Sequence, residues 1–270
     1  DFIDNNKMGA GDDMHKIGPI KMFVDGSLGA HTSAMRQPFA DNPETCGVYC
    51  MTSELLDEMV GMADAAGFGC VVHAIGDGGI DRVLTAYEKL VGGGNPLRHG
   101  IIHVQITDIP LLERFAAGNI LALVQPIFLH YDMRIVDSRV GPALAATSYA
   151  FNTMDKLRIR ASYGTDAPIE DLHTMNNLHC AINRQDLKGA PQAGYNPAER
   201  VPLARAIHNY TAESAYASFD ENRKGRIAIG FLADMAILDS DIFNTPQSEI
   251  RHTKIFATIL GGKTVWQNIK

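Results

Sequence analysis

The chain has 270 residues, 46% of them hydrophobic and 20% charged, and a net charge of −7. That length buries a substantial core in one large domain or two smaller ones. No apolar run reaches the roughly 18 residues of a membrane span, and Lys and Arg are scattered rather than gathered into the basic stripe that nucleic-acid binding requires.

The opening DFIDNNKMGAGDDMHKIG is polar and acidic, lacks an initiating Met and lacks the basic-then-apolar order of a secretory signal. The natural N-terminus is therefore expected upstream. Cys46, Cys50, Cys70 and Cys180 form no CxxC pair. Reduced structural thiols in a cytoplasmic protein are the expectation.

Short apolar, β-branched runs then alternate with segments of helical period. IKMFVDG (20–26) predicts a strand, and 53–67 a helix opened by Ser53 and closed by Gly67. FGCVVHAIG (68–76) is the next strand and GIDRVLTAYEKLV (79–91) the next helix, with Asp77 as its N-cap and GGGNP as its stop. RHGIIHVQ (98–105) is followed by a helix from Asp108 with Pro110 in its first turn. ILALVQPIF (120–128) is strand-like, 143–157 helical, and RIRASYGTDAP (158–168) a fifth strand. Helices are expected at 173–184 and 202–218. The strands are apolar nearly throughout, as in a parallel sheet covered by helices. Five βα units fit a doubly wound sheet or part of a (β/α)8 barrel. After residue 222, KGRIAIGFLADMAILDSD and KIFATILGGKTVWQ carry short strands with Gly turns and no long helix, a small β appendage.

Polar residues fall at or near the strand ends: Lys21 and Asp25, His73, His103, Gln125 and Asp166. One such residue is ordinarily a satisfied core group. Five strands in succession are harder to dismiss, since burying many ionisable groups without shared purpose costs several kcal/mol each. Two imidazoles and a carboxylate suit a borderline cation such as Zn²⁺. A free lysine is a poor ligand; it serves either as a plain charge or, carboxylated by CO₂, as an anionic bridge.

The ordered set KMFVDGSLGAHTSAM (21–35), VVHAIGD (71–77), RHGIIHVQ (98–105), VQPIF (124–128), YGTDAPIE (163–170) and GRIAIGFLADMAILDSD (225–241) resembles the amidohydrolase superfamily. More narrowly it is similar to amidohydrolase family 3, the group of YtcJ-like and N-substituted formamide deformylase-like proteins. The resemblance implies an α/β fold: a partial TIM (β/α)8 barrel, strands four to eight, over residues 1–222, and a β-sandwich remnant over 223–270. It implies Lys21 as a carboxylated bridging ligand, His73 and His103 as metal ligands, and Asp166 as a ligand that also takes the proton of the attacking water. One or two divalent cations, Zn²⁺ foremost, are the implied cofactor. The family's HxH pair on strand one is absent, and Ile102 stands where an acidic residue usually precedes the strand-six His. The chain is thus expected to be the C-terminal portion of a longer enzyme, inactive alone, that associates with itself as a homo-oligomer to cover the open barrel edge.

Other polar residues are more evenly balanced. His31 and Arg36 in the loop after the first strand, Gln125 and His130 are candidates for substrate contact, with a solvated or structural role as the alternative. His99, His173, His179, His208 and His252 show no partner pattern. HAIGDGG is not a GxGxxG nucleotide loop. The expected activity is hydrolysis of amide-like, non-peptide C–N bonds in a small molecule by a metal-activated water, without nucleic acid or membrane. Two alternatives stay open: a Schiff-base lyase or aldolase using Lys21, and a folded but non-catalytic fragment.

Overall fold

The computed structural model describes residues 1–92 and 94–268. After a single turn α1 (Phe2–Asn5), β1 (Ile20–Phe23) leads through a long loop to α2 (Ser53–Ala65), then β2 (Cys70–Ala74), α3 (Asp77–Val91), β3 (Gly100–His103), α4 (Ile109–Ala117) and β4 (Leu121–Val124). Next come α5 (Leu129–Asp132), α6 (Val136–Ala145), α7 (Phe151–Lys156) and β5 (Ala161–Tyr163). The chain closes with α8 (Thr174–Asn183), α9 (Leu203–Tyr210), α10 (Ala212–Ala217), β6 (Met235–Leu238), β7 (Ile255–Leu260) and β8 (Lys263–Gln267).

The first sheet runs β1-β2-β3-β4-β5, and the second β6-β7-β8 with antiparallel pairing. The first sheet is open: no β1–β5 pairing closes it among the described residues. The chain divides into two compact units, Asp1–Val124 with Asp132–Ala161, and Gln125–Tyr131 with Ser162–Lys270.

In the first unit the parallel ladders place Phe23 beside His73, His73 beside Ile102, and Ala74 beside His103. Residues that pair in a parallel ladder share a face, so alternation sorts the sheet. Met22, Cys70, Val72, Ala74, Ile101, Ala122 and Val124 are all buried. The opposite face is more open: Lys21 and Phe23 are exposed, and Val71, His73, Ile102 and Leu123 half-buried.

The helices α2 to α4 have readable causes. Thr52, not Ser53, caps α2 by accepting from Leu55 N at 3.2 Å, and Gly67 (φ 78°) ends that turn. The α3 helix buries Ile80, Val83, Leu84 and Tyr87, spaced i, i+3, i+4, i+7, and stops at Gly92 (φ 45°). Its N-cap is Gly76; Asp77 lies inside the first turn. The Asp108 carboxylate caps α4 from 2.9 Å. The Tyr87 hydroxyl donates 3.0 Å bonds to the carbonyls of Cys70 and Gly100, tying α3 to two strands.

In the second unit, α8 buries Met175, Leu178, Ala181 and Ile182. Fully buried Asn177 on this helix donates to Gly164 O at 2.8 Å and accepts from Ile127 N at 2.6 Å, holding two loop segments together.

Candidate functional site

The open face of the first unit carries Lys21, Phe23 and His73 on adjacent strands. The Lys21 ammonium stands 4.9 Å from the centre of the Phe23 ring, and Phe23 lies 5.1 Å from the His73 ring. The His73 and His103 rings meet edge to face at 4.4 Å. By pleat alone His103 would follow its neighbour Ala74 to the helix-covered side. Instead His103 has φ 80° and Val104 φ 50°, so the backbone turns over at the end of β3 and the imidazole contacts His73. A positive φ is costly for any side chain and more so for a β-branched one, and such strain gathers at functional positions.

Asp25, just past β1, is pinned among backbone donors. Its carboxylate accepts from Ala34 N at 2.9 Å, Ile75 N at 3.0 Å and Gly76 N at 2.8 Å. Burial pushes its carboxyl up to about 6, with those three N–H groups pulling against the rise. The His73 Nε2 lies 2.9 Å from Gly26 O and 3.5 Å from Asp25 Oδ1. A carbonyl only accepts, so Nε2 carries a proton, and in the neutral ring Nδ1 then carries the lone pair.

The loop residues around this face are committed to one another. Arg36 donates from Nε to Asp77 at 2.8 Å and from Nη2 to Asp108 at 2.5 Å, linking the loop after β1 to the starts of α3 and α4. His31 (φ 55°) pairs with Asp41 at 3.0 Å, and Asp41 also binds Arg139. Asp132 accepts from the Tyr149 hydroxyl at 2.5 Å and from Gln105 at 3.3 Å; burial raises its carboxyl above the usual range while the Tyr149 bond lowers it. The glycines of HAIGDGG serve close packing: a Cβ on Gly76 would sit 2.1 Å from Ala34 O, and one on Gly78 2.7 Å from the Tyr49 hydroxyl.

In the second unit Asp166 follows β5 with φ 57°, its carbonyl accepting from Ile169 N at 2.9 Å. Gln125 and His130 are buried there, and His130 Nδ1 accepts from Leu187 N at 3.1 Å. The structure thus brings His73 and His103 together, with Lys21 one ring away across Phe23. Among the described residues no three His, Cys, Asp or Glu side chains gather around a common point. An unmodified lysine adds no ligand to that set. The two imidazoles, one with its lone pair on Nδ1, fit part of a divalent cation's shell.

Parallel βα units with polar residues at the strands' C-terminal ends define the class of α/β proteins whose sites sit at that edge of the sheet. A family profile described as amidohydrolase family matches residues 3–266, and the chain belongs to that family. It is 32% identical over 256 residues to the protein YtcJ of Bacillus subtilis, covering 93% of this chain and 47% of that one. It is 24% identical to the N-substituted formamide deformylase of Arthrobacter pascens, covering 91% and 45%. Among solved structures, an uncharacterized metal-dependent hydrolase from Pyrococcus horikoshii superposes with a TM-score of 0.80 at 29% identity, covering 89% of this chain and 48% of that one. The chain spans about half the length of these relatives.

Proposed function

We propose that this chain supplies His73, His103, Lys21 and Asp166 to the centre of a metal-dependent hydrolase acting on amide-like, non-peptide C–N bonds. The observation that carries this reading is the edge-to-face imidazole pair, half-buried His73 against buried His103, built by two consecutive positive-φ residues at the end of β3. When bound, a divalent cation such as Zn²⁺ polarises a carbonyl and lowers the pKa of water to about 7. His73 and His103 hold it through neutral imidazole nitrogens, and Lys21, carboxylated, supplies an anionic oxygen. Asp166 takes the proton of the attacking water and passes it to the leaving nitrogen. Gln125 and His130 contact the substrate, while His31 is held by Asp41. Arg36 holds the loops instead, because its guanidinium is taken by Asp77 and Asp108.

No two histidines in the chain are one residue apart, so the HxH ligands are missing and turnover by this chain alone is not expected. Zinc binding is therefore the test. Competition against a chromophoric chelator should show zinc bound by the wild-type chain and an affinity at least about 100-fold lower in the His73→Ala/His103→Ala double variant. Equal affinity in both would overturn the proposal. Borohydride trapping of a carbonyl compound on Lys21 would point instead to Schiff-base chemistry.

A further inference from the structure

We propose that Asp25 is a positioning residue for His73: its buried carboxylate ties the backbone just after the imidazole to the loop after β1 and fixes which ring nitrogen carries the proton. The inference rests on the metal-binding reading for its purpose, but its test does not need a metal.

The Asp25 side chain is fully buried, and its Oδ1 stands 3.5 Å from His73 Nε2. Burying a carboxylate is expensive unless its lone pairs are filled. Here the donors come from two separate segments. Ala34 belongs to the loop after β1, whereas Ile75 and Gly76 are the second and third residues after His73. Asp25 is also covalently next to Gly26, whose carbonyl takes the His73 Nε2–H at 2.9 Å. One carboxylate thus sets the spacing between the carbonyl that reads the ring and the strand that presents it. Only an acceptor serves all these donors; an asparagine would turn an NH₂ group toward backbone N–H groups. The surroundings leave room for this carboxylate. A Cβ on Gly79 would stand 2.6 Å from Asp25 Oδ2 and 3.0 Å from its Cγ. Gly26 O and Asp25 Oδ1 favour hydrogen on Nε2, and a partner on one ring nitrogen fixes what the other offers to a cation.

The experiment is long-range ¹H–¹⁵N correlation spectroscopy of the metal-free chain carrying ¹⁵N-labelled histidine, at a pH where the ring is neutral. Wild-type His73 should give the signals of a single Nε2–H tautomer. Asp25→Asn should show both tautomers while the far-UV circular dichroism stays unchanged, and its zinc affinity should fall about 10–100-fold. Gly79→Ala, which keeps the carboxylate and displaces it, should mix the tautomers likewise. A wild-type His73 in the Nδ1–H form, or in exchange between forms, would overturn the proposal. So would an Asp25→Asn chain that folds and keeps one tautomer. If that variant does not fold, the wild-type and Gly79→Ala spectra decide. A wild type with a fixed tautomer and no zinc binding would count against the metal reading and leave the positioning role standing.

Discussion

At the scale of single residues, the buried carboxylates carry a pH signature. Asp132 has lost water and gained a tyrosine hydroxyl, and loss of water is the larger effect, so its folded pKa lies above the ordinary 3.8. A carboxyl whose pKa is raised by folding adds stability that is complete below the unfolded value and disappears as pH climbs through the folded one. Asp132→Asn does not titrate and keeps an oxygen for Tyr149. Urea denaturation from about pH 4 upward should therefore show the wild type losing stability relative to Asp132→Asn as pH rises; a gap that stays constant, or moves in the wild type's favour, would contradict this. Residue types were legible in the sequence where relations were not. Lys21, Asp25, His73, His103 and Asp166 stand out as polar groups at apolar strand ends. The grip of Asp25 on Ala34, Ile75 and Gly76 is not readable, because those donors are backbone groups brought together by the fold. The edge-to-face pair is equally hidden, since it depends on a φ of 80° at His103 that no side-chain pattern announces.

At the scale of elements, the βα order is legible from periodicity and the boundaries follow local hydrogen bonding. Asp108 is the cap its sequence suggests, whereas Thr52 takes the place expected of Ser53, two adjacent hydroxyls with near-equal capping power. Asp77 does not cap α3 because Arg36 claims its carboxylate. The apolar run 120–128 is strand only over Leu121–Val124; Pro126, with no N–H for a ladder, opens a short 3₁₀ turn through Phe128. The helix expected over 143–157 is interrupted where Tyr149 adopts φ 51° and its N–H goes to Gln105 O. The helix expected over 202–218 breaks at Thr211, with φ −117° and ψ −76°. The turn from β2 into α3 is the most tightly constrained of these junctions. Gly76→Ala would drive a methyl into the Ala34 backbone from 2.1 Å, and that backbone also donates to Asp25. A loss of about 3 kcal/mol in unfolding free energy is expected by chemical denaturation. A loss under about 0.5 kcal/mol, the size of an ordinary surface change, would show the junction to be looser than its contacts imply.

At the scale of the molecule, five strands of βα order and a separate antiparallel sheet agree with the amidohydrolase assignment, while the first sheet stays open. One face of β1 to β4 is buried, and the other keeps an exposed Lys21 and a half-buried His73. That asymmetry leaves His73 half-buried on the open face, with His103 buried against it. No helix among the described residues is long and apolar enough to cross a membrane. The central claim, that the paired imidazoles hold a divalent cation, is tested most directly by anomalous diffraction at the zinc edge from crystals of this chain grown with zinc. The account predicts a peak about 2.0–2.2 Å from His73 Nδ1 and from a nitrogen of His103. Zinc bound elsewhere, with both rings bare, would contradict it.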